Sequence, residues 1–353
     1  MRRTGISLLG VAVAASLATV GAVGVGGSAN AEDDYTTKLV EVAASTPTQR
    51  TKVAALGLDT TEHADRNGLE VVLHSVQDAD RLRQAGFEWT VEVRDLEAQA
   101  RAQERANRQY AAMVEDSGLP SGRTSYRHLK DYNIEMRQLA ADYPKLTKPL
   151  TLAQRSVEGR QVHGIEITTD ADQVHDGKPV FLMMGAHHAR EWPSSEHAME
   201  FAYDLLQEYG NDARATRIVE GMRLIVVPVV NPDGFHISRE AEPLGDFSRF
   251  DNEMRRKNCS ISESTAPQFL GGTCESNPAG RQRGVDLNRN YPGFWGGPGA
   301  STNYLSDTYR GDDPGSEPEV QSIRELISER QVTNLITNHT YGNLTLRAPA
   351  IAS

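Results

Sequence analysis

Two unbroken apolar runs limit this chain more than any other feature. Val180–Gly185 and Arg223–Val230 lack the polar alternation of a strand with one wet face. Runs of this kind belong to strands buried on both sides, in sheets covered by helices on each face. Helical periodicity follows the first run at Ser194–Tyr209 and recurs at Glu317–Arg330, ahead of another strand signal at Val332–Thr337. Residues 119–353 are therefore expected to form an α/β domain with a mixed, mostly parallel sheet and helices on both faces. Ligands of such sheets gather beyond the carboxyl ends of the strands.

The preceding stretch has a different rhythm. Thr36–Ala44, Thr60–Ala64, Gly68–Leu73 and Phe87–Val93 read as strands, with helices at Thr46–Leu56 and Val76–Ala85. The order β-α-β-β-α-β predicts a small ferredoxin-like α+β domain over residues 32–95. Leu96–Glu115 is polar throughout and reads as an exposed linker helix within residues 96–118. Its Arg101, Arg105 and Arg108 suit cleavage by a trypsin-like protease. Gly118-Leu119-Pro120-Ser121-Gly122 marks the boundary, and a length of 353 residues has room for about two domains.

Arg2-Arg3, the apolar stretch Ile6–Val25 and the small-residue exit Ser28-Ala29-Asn30-Ala31 have the order of a cleaved export signal over residues 1–31. The apolar run approaches the roughly 20 residues that span a bilayer, but its Gly and Ala content favours cleavage. The expected product is secreted and free of the membrane, by a general or a twin-arginine route. In an exported protein the two cysteines, Cys259 and Cys274, are expected to form a disulfide, worth about 3 kcal/mol for a loop of that length. A net charge of −11 without a Lys/Arg run argues against nucleic acid as a partner.

Among the 10 histidines, three begin a His-x-x-Glu: His163/Glu166, His188/Glu191 and His197/Glu200. The first lies in a strand pattern, which sends positions i and i+3 to opposite faces. The third sits on a helix, where a solvated polar pair is the ordinary meaning. His188 and Glu191 fall between a buried strand and a helix, in a turn that can aim both side chains at one point. Catalytic zinc takes three protein ligands, often two His and one Glu, and His339 at the end of the Val332–Thr337 strand supplies a third. Asn288-Arg289, with Arg256 upstream, offers an amide and a cation fork suited to a carboxylate.

With these motifs the chain resembles the zinc metallocarboxypeptidases of the pancreatic A/B type, from about Ser125 onward. Gly185–Trp192 is similar to that family's first zinc motif, Gly284–Tyr291 to its Asn-Arg motif, and Asn338–Tyr341 to its third-ligand motif. The resemblance implies one Zn2+ per chain on His188, Glu191 and His339, and a substrate C-terminal carboxylate on Asn288 and Arg289. It further implies oxyanion stabilisation by Arg256, and contacts to the preceding substrate residue from Arg190 and Tyr341. His187, in a variable position, is read as structural. The N-terminal domain resembles an inhibitory activation segment by element order. The implied protein is a monomeric, secreted precursor that acts on peptides or proteins with a free C-terminus after cleavage by an activating protease. The family's general-base glutamate lies well downstream of the third ligand, so it is expected to be missing from this chain, which would then be inactive alone. The competing readings are a zinc amidase acting on cell-wall peptides or N-acyl amino acids, and a non-catalytic zinc-binding pseudoenzyme.

Overall fold

A computed structural model of the chain describes residues 35–64, 66–113, 117–243, 251–260, 274, 283–297, 299–340 and 345–346. The expected export signal and Tyr341 lie outside these residues.

The first sheet is built from β1 (Lys38–Ala43), β2 (Asp59–Ala64), β3 (Gly68–Leu73) and β4 (Trp89–Val93), in the order β2-β3-β1-β4 with antiparallel pairing throughout. Helices α1 (Pro47–Ala55) and α2 (Val76–Gln84) complete the β-α-β-β-α-β order. Thr46 and Gln49 close a reciprocal capping box at the start of α1, which satisfies backbone groups that a helix end leaves open. Val40, Val42, Val71, Leu73 and Leu82 form the core between sheet and helices. α3 (Leu96–Met113) follows as a helix with exposed side chains along most of its length, as its polarity predicts.

The second sheet comprises β5 (Thr147–Arg155), β6 (Gln161–Ile167), β7 (Val180–Met184), β8 (Arg223–Val227) and β9 (Val332–Thr337), in the order β5-β6-β8-β7-β9. It is mixed: β8-β7-β9 are parallel, whereas β5 pairs β6 and β6 pairs β8 antiparallel. Alternate residues of β8 enter opposite cores. Leu224 and Val226 pack with α4 (Leu129–Asp142), α5 (Trp192–Glu208) and α6 (Ala213–Gly221), while Ile225 and Val227 pack with α9 (Pro318–Glu329). The apolar run that marked β8 extends beyond the strand because Pro228, without an N–H, cannot continue the ladder. Two short helices, α7 (Pro232–Glu240) and α8 (Leu287–Asn290), lie in the connections that follow β8.

The register pairs Met184 with Thr337, so the turn leaving β7 and the end of β9 lie side by side. Cys259 and Cys274 are joined in a disulfide. No helix among the described residues is long and apolar enough to cross a membrane.

Candidate metal centre

The turn between β7 and α5 is forced into shape by close packing. A side chain on Gly185 would meet the carbonyl oxygens of Ser194 and Pro228 at 2.6 and 2.7 Å. Ala186, at φ 44°, then adopts the left-handed backbone that L-residues avoid, a local cost of the kind that collects at functional turns. His188 and Glu191 emerge from this bend. Glu191 occupies the N-cap of α5, and its backbone oxygen accepts the Ser194 hydroxyl at 2.6 Å. The positive end of the helix dipole thus lies beside its carboxylate.

His339 arrives from β9. The Asn338 amide donates to Met184 O at 2.8 Å, and the Asn338 side chain donates to the same oxygen at 3.0 Å. His339 Nδ1 thereby lies 2.9 Å from Glu191 Oε2, while His188 Nδ1 lies 2.7 Å from Glu191 Oε1. The two ring nitrogens are 3.2 Å apart. Donor atoms on a tetrahedral zinc with bonds of 2.0–2.1 Å sit about 3.3 Å apart, close to this spacing. Two imidazole nitrogens aimed at each other and at one carboxylate are a donor set that a divalent cation satisfies. The residues therefore fit the metal. His163 and His197 lie outside this cluster: Glu166 on β6 pairs with Arg223 and Arg330, and Glu200 on α5 accepts from Ser121 and pairs with Arg127.

Asp286, which sequence reasoning left without a role, is fully buried and stands behind His188 at 3.1 Å from Nε2. Carboxylate support of this kind places the histidine proton on Nε2 and leaves Nδ1 free to ligate. Its other oxygen accepts from Arg256 Nε at 3.2 Å and Nη2 at 2.9 Å. Burial disfavours the Asp286 charge, yet Arg256 and then His188 outweigh it and hold the carboxyl well below its usual range. Glu191 is likewise held low, since His188 and His339 overcome the opposing effect of burial. The signal for Asp286 was its position, directly ahead of Leu287-Asn288-Arg289 at the N-cap of α8.

Asn288 reaches the centre, with Nδ2 3.5 Å from His339 Nε2. Arg256 Nη1 is 3.9 Å from Glu191 Oε1. Arg289 instead donates from Nε to Gly299 O at 3.0 Å, and Arg190 pairs with Asp307 at 3.2 Å. A cavity of about 380 Å³ opens beside the centre, with Arg190, Glu191 and Arg256 on one wall and Leu39, Asp59 and Val72 of the first sheet on the other.

A family model described as zinc carboxypeptidase matches residues 132–350. The chain belongs to that family. It is 34% identical over 196 residues to metallocarboxypeptidase A of Trichophyton tonsurans, covering 54% of this chain and 40% of the relative. To carboxypeptidase A2 of Mus musculus it is 33% identical over 221 residues, covering 62% of this chain and 46% of the relative. The chain thus spans less than half the length of these relatives. In fold it is similar to a carboxypeptidase A from Helicoverpa armigera, at a TM-score of 0.68 and 22% identity over 88% of this chain and 71% of that one. Thrombin activatable fibrinolysis inhibitor matches at a TM-score of 0.60 and 20% identity, over 87% of this chain and 72% of that one.

Proposed function

We propose that this chain carries the metal and oxyanion residues of a secreted zinc carboxypeptidase precursor, with His188, Glu191 and His339 holding one Zn2+. The convergence of those three donors beside Asn288 and Arg256 carries the reading. When bound, zinc supplies a Lewis acid that polarises a carbonyl and lowers the pKa of water. Asn288 and Arg289 bind the substrate's terminal carboxylate, Arg289 by turning from the Gly299 carbonyl. Arg190 and Tyr341 contact the residue before the scissile bond. Arg256, steadied by Asp286, faces the position where charge develops on the scissile oxygen.

Proton transfer also requires a base. Glu191 is committed as a ligand, and Asp286 is held between Arg256 and His188. Neither carboxylate is therefore free to act as that base. The N-terminal sheet, which walls the cavity, acts as an inhibitory activation segment, and an activating protease cuts the exposed α3 at Arg101, Arg105 or Arg108. The protein acts outside the cell as a monomer.

The test is peptide binding to the zinc-loaded protein, with free and amidated C-termini compared after the segment is cut at α3. Free peptides are expected to bind at least about 10-fold tighter, as loss of a charge-assisted pair costs roughly 1.5–3 kcal/mol, and Arg289→Ala is expected to erase the difference. Equal binding of both peptides refutes the carboxylate assignment, and turnover of muropeptides or N-acyl amino acids by the same protein favours an amidase.

A further inference from the structure

Among the described residues, only one of the two histidines facing Glu191 is backed by a further carboxylate, Asp286 behind His188. His339 Nε2 has, among the described residues, two polar side-chain neighbours, the Asn288 amide nitrogen at 3.5 Å and Thr337 Oγ1 at 3.4 Å. A metal on Nδ1 requires the ring proton on Nε2, and that proton needs an acceptor. An amide nitrogen cannot accept it. The Thr337 hydroxyl can, provided that its own proton is directed elsewhere. His187 Nδ1 lies 2.9 Å from Thr337 Oγ1, and His187 Nε2 lies 2.9 Å from the Tyr291 hydroxyl.

We propose that His187 is a positioning residue for the metal, forming with Thr337 and Tyr291 a hydrogen-bonded strut that fixes the orientation and tautomer of His339. This rests on the assignment of His188, Glu191 and His339 as ligands. The direction of donation runs one way: His339 Nε2–H to Thr337, the Thr337 hydroxyl to His187 Nδ1, and His187 Nε2–H to Tyr291. Only a neutral His187 can both accept and donate. The ring is 1% exposed and stacks on His339, with centroids 5.9 Å apart and planes 29° apart.

The full-length chain is titrated with Zn2+ in competition with a chelator, alongside Thr337→Val, His187→Phe and His187→Asn. Removal of a hydrogen-bond partner behind a ligand typically weakens metal binding 10–100-fold. Thr337→Val and His187→Phe are expected to weaken Zn2+ by at least about 10-fold, and His187→Asn, whose amide can still meet Thr337, to recover part of that loss. Two readouts separate positioning from general packing. The metal-free melting midpoint of Thr337→Val should stay at the wild-type value, and the visible absorption of its Co2+ form should differ from wild type. If wild type binds Zn2+ and both Thr337→Val and His187→Phe match it within about twofold, the strut is refuted while the ligand assignment stands. If wild type itself fails to bind, the ligand assignment falls and takes the strut with it. Should His187→Phe not fold, the near-isosteric Thr337→Val decides alone.

Discussion

His188 follows β7, which is paired on both sides, and its side chain is 0% exposed with the Asp286 carboxylate 3.1 Å behind it. His339 follows β9, which among the described strands is paired with β7 alone, and its side chain is 24% exposed with a threonine hydroxyl 3.4 Å away. The same donor type is thus held in two ways. On the His188 side a charged pair, Asp286 with Arg256, is sealed in the interior. On the His339 side neutral hydrogen bonds and two contacts from Asn338 to Met184 O tie down an exposed strand end. Mutations behind His188 should therefore register first as lost folding stability, and mutations behind His339 first as lost metal affinity.

The sharpest way to break this contrast is Asp286→Asn. It leaves Arg256, 4% exposed, as a buried cation without its carboxylate, a change that typically costs about 3–5 kcal/mol. Denaturant unfolding of the metal-free protein should show that loss, whereas Thr337→Val should show almost none. Equal midpoints for the two variants would erase the distinction. Next in size is the disulfide. Arg255, adjacent to Arg256, donates from Nη2 to Cys274 Sγ at 3.1 Å and to the Asn258 carbonyl, so the bridge braces the segment behind His188. Replacing both cysteines by serine should cost about 3 kcal/mol for a loop of 15 residues. Equal stability of the reduced and oxidised wild-type protein would contradict this.

The two halves were also unequally legible. Continuous apolar runs announced β7 and β8, and the strand-to-helix break placed His188 with Glu191, because these features are local in sequence. Asp286 was not found, since it stands 98 positions from His188 and becomes its neighbour only once the connection after β8 folds back. His187 was read as structural for a similar reason. Its partners, Thr337 and Tyr291, are 150 and 104 positions away, and a histidine beside a buried strand shows nothing of its partners beforehand. The mixed, mostly parallel sheet is as expected, but the place of β6, the reversed strand among those described, was not legible. Apolar runs report burial on two faces, but pairing direction depends on connections, and Ser156–Arg160 is a tight turn that makes β5 and β6 an antiparallel hairpin.

The smallest expected effect concerns Glu319, at the start of α9 behind Tyr291. It is 1% exposed; Oε1 has no hydrogen-bond partner among the described residues, and Oε2 meets the Asn258 amide at 3.3 Å. Burial, reinforced by Glu317 and Asp233, pushes its pKa up to about 8 from 4.5. A carboxyl whose pKa is raised on folding binds more protons in the folded state between those values, so its contribution to stability is full below the lower pKa and is lost as pH rises through the upper one. Glu319→Gln keeps the shape and removes the titration. Unfolding free energies of the two proteins should lie closest near about pH 5, and increasingly favour the variant as pH rises to about pH 9. If the two proteins keep the same pH slope, Glu319 is ionised without cost, and the His339 side is better solvated than its hydrogen bonds imply.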